Sequence, residues 1–239
     1  ISEENFSGTI LIEKPLFHFL PNKINIKFDN IYVGYNLRFH PLIKKLKSEI
    51  KDEKIISLQA YVGQYLPDWR KNRNYKLSYS SIKNKGGGVL RDLSHELDYI
   101  NWIFGKWIKL CALGGKYSDL KIDTDDVYTI LFETENCPVC SVQMNYLDRC
   151  SKRNIVINTN NNVYELNLKN NIYKKNKNEI KNEVDNDLTY KLMHLEIIKN
   201  KIENICNFKS GIEILNMINA AEISTSKKKN SWIYNEKNM

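Results

Sequence analysis

Long apolar runs are missing from this sequence of 239 residues. None approaches the roughly 20 consecutive apolar residues that a membrane-spanning helix requires. The first residues, ISEENFSGT, contain no basic segment followed by an apolar stretch, and this predicts no signal peptide. Glycine is sparse, with 10 residues, and nowhere does it form the G-x-G-x-x-G pattern of a phosphate-binding turn. We therefore expect a cytoplasmic protein without a membrane partner.

Cysteines are few and irregularly spaced, and their number, five, is odd. This usage is typical of reduced thiols and not of a disulfide framework. Cys137 and Cys140 form a C-x-x-C that could be a redox or metal pair. No second Cys or His pair stands nearby to complete a tetrahedral zinc site, and Asn136 and Pro138 favour a turn. The sequence therefore predicts the tip of a hairpin here, and no metal.

Acidic residues are outnumbered: 28 Asp and Glu stand against 36 Lys and Arg, which gives a net charge of +8. A nucleic-acid partner is one interpretation of such an excess, and it would show a steep salt dependence. The excess is mostly lysine, however, and it is spread along the chain instead of lying on one face. We therefore predict no nucleic-acid binding.

Hydrophobic residues make up 42% of the chain, enough for a folded core, and their spacing outlines the first half. Apolar runs at 9–12 and 31–36 predict two short strands, and a longer strand is predicted over 54–66. A helix should begin at Pro41, because proline suits the first turn. Its apolar face is predicted to be Leu42, Leu46 and Ile50. The polar loop 67–88 is too long for a simple connector.

The second half contains successive strand patterns separated by short turns, with no alternation of strands and helices. The Lys- and Asn-rich segment 169–187 predicts an exposed hairpin or loop. Two helices should close the chain, over about 188–206 and 211–225. The predicted stripe of the first comprises Leu188, Leu192, Leu195, Ile198 and Ile202. The sequence therefore predicts an α/β (α+β) fold with a parallel fragment first and one large sheet after it.

The stretch GGGVLRDLSHELD, residues 86–98, suggests chemistry as well as packing. We predict one helix from Val89 to Phe104, on which Asp92 and His95 share a face and lie close enough to interact. A solvated ion pair is the simpler interpretation of these two residues. A general acid–base pair beside a substrate is the alternative, since histidine titrates near neutrality. The predicted apolar stripe comprises Leu90, Leu93, Leu97, Ile100 and Phe104.

Three separated motifs, taken together, resemble one family. EKP (13–15) ends a strand, GYNLRFHP (34–41) follows the next strand, and DWR (68–70) precedes the glycine-rich stretch. This order resembles the glucose–fructose oxidoreductase, inositol dehydrogenase and rhizopine-catabolism (Gfo/Idh/MocA) family. The resemblance implies the last strands of a Rossmann domain over residues 1–38. It also implies a substrate-binding and oligomerisation domain over 39–239, with an open, mostly antiparallel sheet and helices on one face.

The resemblance also implies a function and residue roles. The family transfers a hydride between NAD or NADP and a sugar, polyol or nucleotide sugar, and it often forms homodimers or homotetramers through the sheet. The implied catalytic residues are Lys14, Asp92 and His95, with His95 as proton acceptor. The implied cofactor-binding residues are Glu13, Lys14, Pro15, Trp69 and Arg70. The implied substrate-binding residues are Tyr35, Asn36, Arg38 and Tyr79.

Two features depart from the family pattern. The acid and the histidine are spaced D-x-x-H, whereas many relatives have D-x-x-x-H. The missing glycine fingerprint leaves the dinucleotide site incomplete in this chain. We therefore expect a sequence that lacks most of the Rossmann domain, through either truncation or gene loss. The alternative to an enzyme is a non-catalytic module, for oligomerisation or ligand binding, that has lost its cofactor domain.

Overall fold

Two sheets organise the chain, which a computed structural model describes over residues 8–21, 30–70, 72–226 and 231–235. The smaller sheet has the order β1-β2-β11, with β1 and β2 parallel. These strands are β1 (Ile10–Ile12), β2 (Ile31–Val33) and β11 (Cys206–Asn207). The strand predicted over 31–36 is therefore shorter, since a 3-10 turn, Asn36–Phe39, follows it. The predicted division at residues 1–38 and 39–239 stays a prediction.

The larger sheet has nine strands in the order β10-β9-β8-β7-β3-β6-β5-β4-β12. Every neighbouring pair is antiparallel except β3 and β6. Parallel neighbours need a long crossover, and here α2, α3, β4 and β5 lie between them in the chain. The prediction of an open, mostly antiparallel sheet is confirmed. Its strands are β3 (Ile55–Gly63), β4 (Trp107–Gly115), β5 (Val127–Thr134), β6 (Cys137–Asn145), β7 (Lys152–Thr159), β8 (Val163–Asn167), β9 (Ile172–Lys175), β10 (Asn178–Lys181) and β12 (Ile233–Tyr234).

Four helices pack into the core under the larger sheet, namely α1 (Pro41–Glu49), α2 (Val89–Asp92), α3 (His95–Phe104) and α5 (Phe208–Ser226). A fifth helix, α4 (Leu188–Ile198), packs beside β2 of the smaller sheet. Alternation along β5 turns Tyr128, Ile130 and Phe132 inward, where they join the core cluster that also includes residues of α3 and α5. α5 packs on both sheets. A Cβ on Gly211 would lie 2.7 Å from the Val33 side chain, so only glycine allows this approach.

Helix α1 confirms its sequence pattern. It begins at Pro41, and the ring of His40 caps it by accepting a 3.2 Å hydrogen bond from the Leu42 amide. Leu42 and Leu46 are fully buried, as the apolar spacing predicts. The following Ile50 is buried as well and ends the helix.

Helix α4 corrects its prediction. It ends at Ile198, short of the expected residue 206. Three members of the predicted stripe are solvent-exposed, Leu195 at 43%, Ile198 at 77% and Ile202 at 51%. The fully buried apolar side chain of α4 is Met193, which packs with Tyr32, Phe39 and Ile205. The prediction was wrong because periodicity identifies an apolar face, whereas the small cluster beside β2 determines which face is covered.

Two segments were predicted to form hairpins or loops, and the structure agrees with one of them. The segment 169–187 forms the β9–β10 hairpin, in agreement with one of its two predicted forms. Cys137 and Cys140 do not form a hairpin tip: both lie inside β6, buried. The turn between β5 and β6 is formed by residues 135 and 136, directly before Cys137. Thr134 Oγ1 accepts a hydrogen bond of 3.1 Å from the Cys137 amide across it. Both thiols are free cysteines.

Candidate active site

The predicted helix from Val89 to Phe104 is broken between Asp92 and His95. α2 ends at Asp92 and α3 begins at His95, with Leu93 outside helical geometry. The carbonyl oxygen of Arg91 accepts a 2.8 Å hydrogen bond from Ser94 Oγ instead of continuing the helix. The five predicted stripe residues are all buried. Asp92, Glu96 and Asp98 are buried as well, and His95 is half-buried, which corrects the expectation of a solvated ion pair.

Lys14 meets the end of α2. Its Nζ donates hydrogen bonds to the carbonyl oxygens of Asp92 and, at 3.5 Å, Arg91. Burial lowers the pKa of Lys14, and the carboxylate of Asp92 opposes this effect. The Lys14–Pro15 peptide bond is cis. An ammonium from the end of the small sheet therefore lies against the helix that carries Asp92.

His95 lies beside the same ammonium. Burial lowers its pKa well below the usual value, and the positive charges of Lys14 and Arg153 lower it further. The ring of Tyr35 stands edge-on to the imidazole, with a centroid distance of 5.6 Å. Within the described residues, Nδ1 of His95 has no hydrogen-bond partner. The imidazole is therefore neutral and has a nitrogen available.

Asp92 is hydrogen-bonded to a tyrosine, and no hydrogen bond or ion pair joins it to His95 within the described residues. The predicted contact between the two is therefore not present, whereas their catalytic roles stay a prediction. Tyr146 donates a 2.6 Å hydrogen bond to Oδ2 of Asp92. Burial and the Asp92 carboxylate together raise the pKa of Tyr79 to about 12. The reason for the difference is the helix break: without a continuous helix, the i,i+3 geometry does not apply.

A cavity of about 440 Å³ opens beside Lys14. It brings together four of the predicted site residues, namely Glu13, Lys14, Pro15 and Tyr79. The residues that line it do not include Asp92 or His95. The ammonium therefore faces the cavity, whereas the acid and the imidazole are not part of its lining.

Trp69 and Arg70 support the two tyrosines. The ring of Trp69 lies 5.9 Å from that of Tyr146, and the guanidinium of Arg70 lies 5.4 Å from the ring of Tyr79. The loop 67–88 thus contributes to the wall around Asp92. The predicted cofactor-binding role of Trp69 and Arg70 stays a prediction.

The three predicted substrate-binding residues that follow β2 do not all lie at the site. Tyr35 reaches the site, with its hydroxyl 3.3 Å from Ser94 Oγ. Asn36 instead donates a 2.8 Å hydrogen bond to Thr189 of α4, and Arg38 forms a buried ion pair of 2.6 Å with Asp98. Both are engaged inside the protein, away from the Lys14 cavity. Their substrate-binding role stays a prediction.

Sequence reasoning missed three residues of this site: Tyr146, Glu96 and Arg153. Arg153 Nε lies 2.9 Å from Oε1 of Glu96, which is fully buried. No pattern marked Tyr146, because it follows β6 and meets Asp92 only through the fold. Glu96 had a signal, since it directly follows His95 in the motif. Within the described part of the chain, no group of three or more His, Cys, Asp or Glu could hold a metal ion.

Asp125 is a fourth residue that the motifs did not indicate. Its carbonyl accepts a hydrogen bond from the Val89 amide, and its Oδ2 accepts one of 2.9 Å from Leu90. Gly88 sits against this carboxylate with a φ of +118°, where a side chain would be strained. Asp125 therefore fixes the start of α2, and so the position of Asp92.

This sheet is that of the C-terminal domain of an oxidoreductase family. A family model, the GFO/IDH/MocA C-terminal domain, matches residues 43–163, just over half of the chain. The chain therefore belongs to the Gfo/Idh/MocA family, as its motifs indicated. A search of curated proteins finds no match.

Solved structures agree with this assignment. A levoglucosan dehydrogenase in complex with NADH and levoglucosan superposes with a TM-score of 0.78 at 17% identity, over 96% of this chain and 74% of that one. GenD2 from gentamicin A biosynthesis, in complex with NAD, gives 0.74 at 13% identity, over 95% and 72%. An oxidoreductase from Thermotoga maritima gives 0.73 at 15% identity, over 95% and 70%. At these identities the likeness shows the fold. Among the described residues, no helix is long and apolar enough to cross a membrane.

Proposed function

We propose that this protein is an NAD(P)-dependent oxidoreductase that transfers a hydride between nicotinamide and a hydroxyl or carbonyl carbon of a sugar or polyol. The observation that carries the proposal is the ammonium of Lys14. It lines a cavity while it contacts the helix that bears Asp92, and it lies close enough to His95 to lower the pKa of that imidazole.

The cation and the base have complementary tasks. An ammonium with a lowered pKa can donate a hydrogen bond to a substrate oxygen and stabilise negative charge that develops there. A neutral imidazole can accept a proton, because one of its two ring nitrogens carries none. The carboxylate of Asp92 opposes the effect of burial on the Lys14 pKa and so favours the charged form. Because His95 does not line the cavity, we propose that it exchanges its proton with the substrate oxygen through a proton relay.

The residues around the cavity fit the nicotinamide end of the cofactor. Ile12, Pro15 and Phe17 offer an apolar wall next to Lys14. When bound, the cofactor would supply the hydride acceptor or donor. The pyrophosphate has no glycine-rich turn in this sequence. Glu13, Lys14 and Pro15 are therefore the part of the cofactor site that this chain contributes in our proposal.

The structural relatives support the substrate and cofactor classes. The levoglucosan dehydrogenase was solved with NADH and with the sugars levoglucosan and L-sorbose, and GenD2 was solved with NAD. By extension we propose NAD and a sugar or polyol for this chain.

The test is NADH formation by the purified protein with a panel of sugars and polyols. In Lys14→Met and in His95→Gln we expect kcat to fall by about 10²-fold or more, the scale of a positioned acid–base group. Lys181→Met, on the exposed strand β10, is the control and should match the wild type. Near-normal turnover in both site variants would contradict the proposal.

The outer face of the larger sheet favours a second role, self-association, either within the enzyme or as the function of a non-catalytic module. Leu113, Leu131 and Val139 lie on strands β4, β5 and β6 and are 50–59% exposed. Exposed apolar clusters of this kind mark interaction sites. We propose that a second copy covers this face in a homodimer or homotetramer.

Light scattering after size exclusion tests the self-association. Leu131→Glu should shift the protein to monomer, because it buries a charge in the interface. Ile180→Glu, at the sheet edge on β10, is the control and should leave the mass unchanged. A wild-type protein that is monomeric at micromolar concentration would contradict this role.

A further inference from the structure

One side chain, that of Tyr79, connects the cavity beside Lys14 with the buried carboxylate of Asp92. Tyr79 lines the cavity together with Lys14, whereas Asp92 does not. Its side chain is 38% exposed, so it is accessible to a ligand in the cavity. Its hydroxyl also approaches Asp92: burial first, and then the charge and the acceptor oxygens of that carboxylate, raise the pKa of Tyr79 to about 12. Tyr79 therefore faces a bound ligand on one side and a buried acid on the other.

The carboxylate of Asp92 has an oxygen to offer to Tyr79. Tyr146 donates its hydrogen bond of 2.6 Å to Oδ2 and does not line the cavity. Oδ1 is buried, and within the described residues it has no hydrogen-bond partner. A buried acceptor without a donor costs free energy, and a proton delivered to it removes that cost. Oδ1 is therefore suited to receive a proton from the side of the cavity.

The glycine-rich stretch fixes the position of Tyr79. Tyr79 begins a 3-10 turn, and the carbonyl oxygen of Ser80 in the same turn accepts a 3.1 Å hydrogen bond from the Gly88 amide. A Cβ on Gly87 would collide with the carbonyl oxygens of Tyr79 and Ser80. Glycine at this position therefore lets the turn lie directly against the start of α2, the helix that bears Asp92.

Three other residues of the cavity lining can exchange protons, namely Glu13, His18 and Lys85. All three are solvent-exposed. In the part of the chain that the structure describes, none of them is hydrogen-bonded to Asp92. They can exchange protons with solvent, but they offer no path from the cavity to the buried acid.

We propose that Tyr79 is a catalytic residue that passes the proton of the substrate hydroxyl from the cavity to Asp92. This inference rests on the proposed function. During oxidation, the substrate carbon loses the electron pair of its C–H bond as a hydride to the nicotinamide. The electron pair of the O–H bond then completes the carbonyl, and the hydroxyl proton goes to Tyr79 Oη. At the same time the proton of Tyr79 goes to Oδ1 of Asp92, and reduction reverses each transfer.

The two residues need each other for this step. A tyrosine with a pKa of about 12 is protonated at neutral pH, so it accepts a proton only while it gives its own away. Asp92 takes that proton, and the ammonium of Lys14 stabilises the charge that develops on the substrate oxygen. No hydrogen bond continues from Asp92 to His95 within the described residues, so the step ends with the proton on Asp92.

Steady-state kinetics of Tyr79→Phe test the role, because this variant loses the hydroxyl and keeps the ring beside Arg70. We expect kcat to fall by about 10²-fold or more and KM to change little. Tyr75→Phe removes a hydroxyl from the same loop, outside the cavity lining, and should match the wild type. Tyr79→Phe/Asp92→Asn should be no slower than Asp92→Asn alone, because one relay is already broken. A kcat near that of the wild type in Tyr79→Phe, or losses that multiply in the double variant, would overturn the proposal.

The contact between Tyr79 and Asp92 is testable without turnover. NMR titration of the protein with isotope-labelled tyrosine rings follows the ionisation of Tyr79, and Tyr79→Phe identifies its signal. Asp92→Asn should lower the pKa of Tyr79, because it removes a neighbouring negative charge. Asp123→Asn makes the same change at an exposed position and should leave that pKa unchanged. An unchanged pKa in Asp92→Asn would overturn the relay, whereas a lowered pKa in a protein that forms NADH with no sugar or polyol would reject the proposed function and leave the contact supported.

Discussion

Tyr146 donates a 2.6 Å hydrogen bond to Asp92, which ties the residue after β6 to the last residue of α2. Both side chains are buried, and the ring of Trp69 lies against that of Tyr146. The carboxylate whose charge supports Lys14 is therefore held from the central sheet. This relationship makes Tyr146 a positioning residue for the proposed chemistry.

Tyr146→Phe should lower the free energy of unfolding by about 1–3 kcal/mol, because a buried carboxylate loses its donor. It should also lower kcat more than it changes KM, since Asp92 would lose its orientation. Urea unfolding and steady-state kinetics measure the two effects. Tyr128→Phe removes a comparable hydroxyl that contacts Thr225 at 3.2 Å, and it should leave kcat unchanged. A loss of kcat in both variants would argue against a specific role for Tyr146.

Arg153→Met should be strongly destabilising, by about 3–5 kcal/mol, because Glu96 would remain buried without its partner. Glu96→Gln/Arg153→Met should be more stable than Arg153→Met alone. Urea unfolding of the wild type, the two single variants and the double variant completes the cycle. Additive losses would show that the two side chains act independently, contrary to the 2.9 Å contact.

His40→Asn should change the stability of the protein in acid. Burial lowers the pKa of His40 to about 4. Between about pH 4 and pH 6.5 the unfolded chain therefore binds a proton at this residue, whereas the folded chain does not. The contribution of His40 to the free energy of unfolding has its full value above about pH 6.5. It falls by up to about 3 kcal/mol as the pH drops to about 4. Asparagine can still cap α1, so this acid loss should vanish in His40→Asn while the helix remains. Unfolding at a series of pH values, with exposed His194→Asn as the control, checks it.

Asp125→Asn should also change how the free energy of unfolding depends on pH, but it should remove a loss that occurs as the pH rises. Burial raises the pKa of Asp125 to about 6, so the folded state binds a proton that the unfolded state has released. The contribution of this group to stability falls by up to about 3 kcal/mol as pH rises from about 4 to 6. Asparagine keeps an acceptor for the Leu90 amide, and the variant should be more stable than the wild type at pH 7. Asp123→Asn, on the exposed part of the same loop, should not show this gain.

The sequence predicted most elements of the fold because their signals are local. Pro41 and the spacing of Leu42 and Leu46 defined α1, and the successive strand patterns of the second half correspond to antiparallel strands of the larger sheet. EKP and the glycine-rich stretch indicated the family and Lys14. α4 shows the limit, because three of the five residues in its predicted stripe are exposed and Met193 is buried instead. Which face of a helix is covered depends on the neighbouring elements, and these neighbours are distant in the chain.

Local pattern and motif order alone therefore determined the large antiparallel sheet, the family and the residue types of the site. Only the tertiary structure decided which of those residues meet. The break after Asp92 separates it from His95, and Tyr146 and Arg153 arrive from the ends of β6 and β7. The physical reason is that burial and long-range hydrogen bonds act through space. A carboxylate, an imidazole and an ammonium take their charge states from neighbours that sequence spacing does not reveal.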